Sequence, residues 1–169
     1  TRANQTTQKG DRQVVEVIDT GIEATHQAFS GSMDGVDVRL SQSNVEALVG
    51  KLPHGKTGAY LNNKIPFVFD YADNDADVLP KSSKDLSHGT HVAAIAAANA
   101  ADLQGTAPHA QIIVAKVASD KDGSIPDNTV LAALDDAVVI KPDSINLSLG
   151  EDAGMGTEAG TMYAEVYKN

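Results

Sequence analysis

Val14-Val15-Glu16-Val17-Ile18 is apolar at nearly every position, and so is Ile112-Ile113-Val114-Ala115-Lys116-Val117. Strands read this way when both faces of a sheet are covered, as in parallel sheets flanked by helices. Ile65 to Tyr71 and Ser144 to Gly150 read as two further strands. Helical patterns stand between them. An Ala-rich run follows Ser87, and Val130, Leu131, Leu134, Ala137 and Val138 recur at helical spacing behind a capping Asp127 until Lys141-Pro142-Asp143 stops them. Ser43 to Val49 adds a short helix, and another begins near Thr157. The order is strand, loop, strand, helix, strand, helix, strand, helix. It predicts an α/β fold, a mainly parallel sheet with helices on both faces. No repeat or domain boundary divides residues 1–169.

Composition closes off several functions. The 169 residues suffice for one domain with a real core. Only 4% are aromatic, so that core is built from Val, Ile, Leu and Ala. A net charge of −10 leaves nothing basic to neutralise phosphates, so nucleic acid is excluded as a partner. The absence of cysteine removes disulfides, zinc–thiolate sites and thiol nucleophiles. No apolar run approaches the roughly 20 residues of a membrane span.

Two residues carry the chemistry. Ser87-His88-Gly89-Thr90-His91-Val92-Ala93 opens a helix, with Ser87 as N-cap and His88 in the first turn. An imidazole titrates near neutrality, and the positive end of the helix dipole favours its neutral, basic form. Gly89 leaves room beside it. A capping histidine and an H-x-x-H metal pair are the competing readings. Asp19 ends the first strand, where α/β sheets collect functional groups, although it could equally cap the following turn. Together they make an acid and a base on one rim: a buried carboxylate fixes the imidazole tautomer, and a serine supplies the nucleophile.

Two other stretches invite chemistry. Gly50-Lys51-Leu52-Pro53-His54-Gly55-Lys56-Thr57 fits the phosphate-loop pattern, but lacks the buried strand before it and the helix after it. It reads as a surface loop, with a nucleotide-binding enzyme as the alternative. Asp70, Asp73, Asn74, Asp75 and Asp77 offer oxygens at a density that could hold calcium, but without the spacing of an EF-hand the stretch reads first as a solvated acidic loop. No cofactor is required; calcium is the possible one.

Val17-Ile18-Asp19-Thr20-Gly21-Ile22 resembles the aspartate motif of the subtilisin-like serine proteases, and His88-Gly89-Thr90-His91-Val92-Ala93 their histidine motif. Gly105-Thr106-Ala107-Pro108 with the Lys116 strand resembles their G-x-A-P element, and Ser144 to Gly150 their substrate-binding strand. The long insert between the first two motifs, with Tyr60 to Pro66 and Asp70 to Asn74, is similar to the lactocepin-type cell-envelope proteinases of Gram-positive bacteria.

The resemblance implies Asp19 as orienting acid and His88 as general base. It implies that Ser148, Leu149 and Gly150 line a groove where an extended peptide is added as a strand, and that His91 is structural, with no metal bound. It implies protein or peptide substrates and a secreted or wall-associated enzyme. No G-T-S-M-A or G-x-S-x-G nucleophile motif is present. The chain is therefore expected to be the amino-terminal part of one peptidase domain, an incomplete subtilisin-like fold whose serine and oxyanion asparagine lie in a carboxyl-terminal partner segment. A non-catalytic subtilisin-like peptide-binding or adhesion module is the alternative. Glu16 departs from the small apolar residue usual in the family, which puts the packing around Asp19 in question.

Overall fold

The computed structural model describes residues 6–81, 87–150, 160 and 163–165. Strands β1 (Val14–Asp19), β2 (Phe67–Asp70), β3 (Gln111–Lys116) and β4 (Ser144–Leu147) form one sheet in the order β2-β3-β1-β4. All three pairings are parallel. Helices α1 (Gln42–Val49), α2 (His88–Ala97) and α3 (Asp127–Ile140) fill the connections.

The two-residue period of a strand divides the core. Along β3, Ile112 and Val114 join Val17, Val68, Ala93 and Ala97 in one cluster, on the α2 face. Ile113 and Ala115 turn the other way, to Val14, Ile18, Phe69, Val45, Val130 and Leu134, on the face of α1 and α3. Every residue of β2 and β3 is buried, whereas β4, at the sheet edge, is exposed or half-buried. Helices on both faces of a parallel sheet are thus the observed architecture, and each fully buried Ile contributes about 1.5–3 kcal/mol.

The alanines of α2 let it lie close to its neighbours, and Gly105 shows how close. A Cβ there would come within 2.6 Å of the Ala94 carbonyl oxygen and the Ala97 nitrogen. The amides of Gly105, Thr106 and Ala107 donate to the carbonyls of Ala98, Ile95 and Ala96 at 2.9, 3.0 and 2.9 Å. The Gly105-Thr106-Ala107-Pro108 element thus caps the end of α2, where carbonyls lack intrahelical partners.

Several local details differ from expectation. The fourth strand stops at Leu147, and Ser148, Leu149 and Gly150 continue beyond it as irregular chain. Ser87 holds the N-cap position of α2 without a side-chain cap bond, and Pro126, not Asp127, occupies that position in α3. Val138 of α3 faces solvent. Lys141 ends α3 in the left-handed region, with φ of 58°. Most of the helix expected near Thr157 lies outside the described residues; Gly160 and residues 163–165 are helical.

Candidate active site

β1 delivers Asp19 to the carboxyl-terminal rim of the sheet, and α2 begins there with His88. The connection from β1 passes β3 to reach β2, and that from β3 passes β1 to reach β4, so both cross the seam between these two central strands. The Asp19 side chain is 1% exposed and that of His88 33%. His88 Nδ1 lies 2.7 Å from Asp19 Oδ1. An ionised carboxylate only accepts, so Nδ1 carries the hydrogen and the lone pair resides on Nε2, the tautomer of a general base. Asp19 Oδ1 also accepts the Thr20 amide at 2.7 Å. Its Oδ2 is buried without a donor among the described residues.

Two hydroxyls stitch the start of α2 to the turn after β1. Thr20 Oγ1 accepts the Gly89 amide at 3.2 Å, and Thr90 Oγ1 accepts the Glu23 amide at 2.9 Å. Thr20 thus satisfies a first-turn amide. Gly89 is required by contact: a Cβ there would collide with the Gly21 carbonyl oxygen and stand 3.1 Å from Asp19 Oδ1. Gly21 itself has φ of +104°, a region other residues rarely adopt.

Ser148, Leu149 and Gly150 follow the end of β4, whose Leu147 is the register partner of Ile18, so Ser148 lies level with Asp19. Ser148 and Gly150 are exposed. Leu149 packs against the apolar cluster of the α3 face, and Ser148 Oγ accepts from Asn146 Nδ2 at 2.9 Å.

The sequence expectation about Glu16 is corrected. Two strand positions from Val14 and Ile18, Glu16 points to the α3 face, away from Asp19. It is fully buried, and neither carboxylate oxygen has a partner among the described residues. Burial, with the nearby Asp136 carboxylate, pushes its pKa up to about 8.

The nucleotide alternative has no structural basis. The helix stands before the loop, α1 being capped by Gly50, and no helix follows. The amides that would face a phosphate are taken: Asp136 of α3 accepts from His54 N at 3.0 Å and Gly55 N at 2.6 Å, and also from the Tyr71 hydroxyl at 2.9 Å.

The acidic stretch is more ordered than a solvated loop. Asp70 and Asp73, joined by Asp120, offer oxygens within 4.8 Å of one another, close enough to share a metal ion. Lys116 lies among them. Burial lowers the Lys116 pKa, but hydrogen bonds to Asp120 and Asp70 outweigh it and raise the value, so the ammonium stays charged. Lys64, also buried, donates to the Pro108 and Ala110 carbonyls at 2.9 and 2.5 Å, and burial lowers its pKa to about 7. Sequence reasoning left Lys116, Asp120, Asp136 and Lys64 without roles. A charged residue inside a buried run is the available signal for Lys116; nothing local marks the others.

The Subtilase family pattern matches residues 10–168. The chain belongs to the subtilase family. It is 40% identical over 157 residues to the PI-type proteinase of Lactococcus lactis subsp. cremoris, covering 88% of this chain and 8% of that protein. It is 32% identical over 153 residues to the C5a peptidase of Streptococcus pyogenes, covering 86% of this subtilase chain and 12% of the relative. The chain therefore spans about a tenth of the length of these relatives. Among solved structures, a cold-adapted subtilisin-like serine proteinase superposes with a TM-score of 0.60 at 22% identity, over 96% of this chain and 45% of the other. The Clostridium perfringens CspB protease superposes with a TM-score of 0.61 at 20% identity, over 97% and 35%. These likenesses establish the subtilisin-like α/β fold.

Proposed function

We propose that this subtilase chain supplies the acid and base of a serine endopeptidase that cleaves protein substrates through an acyl-enzyme. The observation that carries the reading is the 2.7 Å contact between His88 Nδ1 and buried Asp19 Oδ1 at the mouth of the sheet. In this reading His88 Nε2 takes the proton of a serine hydroxyl as its oxygen attacks the scissile carbonyl. It then returns that proton to the leaving amine, and a water repeats the sequence to release the acyl group. Asp19 keeps Nδ1 protonated and stabilises the imidazolium between those transfers.

The serine lies outside this chain, in a carboxyl-terminal segment of the same domain. The outer edge of β4 supports that arrangement, with Ile145 40% exposed and no strand beside it among the described residues. Ser148, Leu149 and Gly150 form the groove margin, where an extended peptide pairs with the backbone level with Asp19. The enzyme acts outside the cell, secreted or bound to the wall, as similarity to the cell-envelope proteinases implies. Calcium is not needed for this chemistry. The acidic group that could receive it, Asp70, Asp73 and Asp120, has the Lys116 ammonium within it.

A fluorophosphonate probe followed by denaturing intact-mass analysis tests the proposal. The intact protein should take the label, while this 17.6 kDa chain by itself should not. His88→Ala should abolish labelling without altering the melting temperature by more than a few degrees. An intact, folded protein that takes no label and cleaves no protein substrate overturns the reading.

A further inference from the structure

Beside Asp19 the rim carries a second group of charges, with no part in the proton transfers. Lys116, the last residue of β3, is the register partner of Asp19 on one side and of Asp70 on the other. Its side chain is 1% exposed. The ammonium donates to Asp70 Oδ2, to Asp120 Oδ1 at 2.7 Å and to Asp73 Oδ2 at 3.5 Å. Asp73 Oδ2 also accepts the Asp120 amide at 2.8 Å. Asp70 Oδ1 accepts the amides of Ala72 and Asp73 at 2.8 and 3.0 Å. The other Asp120 oxygen pairs with Lys81 at 2.7 Å, and Lys81 pairs with Asp77 at 3.0 Å.

We propose that Lys116 is the resident cation of the Asp70–Asp73–Asp120 group, occupying the place a divalent metal would take and fastening residues 70–81 to the loop after β3 without one. A primary ammonium has three donors, and here three carboxylates receive them. A divalent ion bound at about 2.3–2.6 Å from the same oxygens would need the volume that Nζ fills. The lysine cannot readily swing away. Its stem is packed beneath the turn after β1, where a Cβ on Gly21 would come within 2.8 Å of Lys116 Cδ. An ammonium and a metal ion would also repel at that range.

The cross-link bears on the turn that follows Asp19. The Val78 carbonyl, in the fastened segment, accepts the Ile22 amide at 2.9 Å. Thr20, Lys81, Lys116, Ala118 and Ser119 line one small cleft there. Lys116 thus holds the wall of the rim from below while its head group ties the two loops above it. None of this depends on the peptidase reading.

Calcium binding by the protein, measured by isothermal titration calorimetry, tests the inference. The unmodified protein and Asp73→Asn should bind the same number of calcium ions, because the cluster takes none while Lys116 is present. Lys116→Gln leaves three carboxylates without their ammonium and should gain about one calcium site, which the double variant Lys116→Gln/Asp73→Asn loses again. A calcium site in the unmodified protein that Asp73→Asn removes would overturn the proposal. So would a folded Lys116→Gln that gains none. Should Lys116→Gln fail to fold, the comparison of the unmodified protein with Asp73→Asn, whose side chain is partly exposed, still decides.

Discussion

His88 Nδ1 and Asp19 Oδ1 stand 2.7 Å apart although 69 positions separate them in sequence. The pair exists because β1 and α2 end and begin on the same rim, with Thr20 and Thr90 fastening one to the other.

Asp19→Asn, made in the protein that carries the serine, should lower kcat on the order of 10⁴-fold with KM nearly unchanged, because the amide can donate to Nδ1 and favours the wrong tautomer. Steady-state kinetics on a peptide substrate, beside a melting curve showing an intact fold, checks this. A loss of less than tenfold would remove Asp19 from the orienting role.

Gly89→Ala places a methyl group against the Gly21 carbonyl oxygen and near Asp19 Oδ1. Neither neighbour can retreat: Gly21 sits in a turn held by the Ile22–Val78 hydrogen bond, and Asp19 is buried. The expected destabilisation is about 1–3 kcal/mol, with a disproportionate fall in kcat/KM as His88 shifts. Urea denaturation and kinetics on the same sample separate the two effects.

Glu16 makes stability fall with rising pH. Its carboxyl is protonated in the fold up to about pH 8, against an ordinary value of 4.5 in the unfolded chain. Its contribution is therefore fully present below 4.5, declines through the interval and is gone above about 8. Each pH unit in that interval is worth about 1.4 kcal/mol. Glu16→Gln cannot ionise, so it should be more stable than the parent at pH 8 and gain much less at pH 5. Melting temperatures at the two pH values decide; an equal shift at both would show that Glu16 ionises freely in the fold.

Asp136→Ala strips the acceptor from His54 N, Gly55 N and the Tyr71 hydroxyl. A buried donor without a partner costs about 1–3 kcal/mol, so a loss of about 3 kcal/mol or more is expected. Relief of the charge beside Glu16 offsets part of it. Hydrogen exchange should show the His54 and Gly55 amides losing protection ahead of the sheet.

Much of this was legible in the order of residues. Near-continuous apolar runs marked β1 and β3 as strands covered on both faces, and the helical spacing of Val130, Leu134 and Ala137 marked α3. The motifs around Asp19 and His88 placed both at element ends, where the structure brings them together. These signals are local, because strand and helix periods depend on neighbours a few positions away.

Tertiary structure alone decided the rest. Strand period alone sets Glu16 and Asp19 on opposite faces, but that Glu16 meets Asp136 follows from the packing of α3 on its face of the sheet. The phosphate-loop pattern at Gly50 to Thr57 already read as a surface loop, but that a carboxylate from α3 holds its amides is shown only by the structure. The acidic stretch after β2 could have been a metal site or a solvated loop. Lys116, 46 residues from Asp70, determines its character, because charge neutralisation acts through space between groups that the sequence keeps apart.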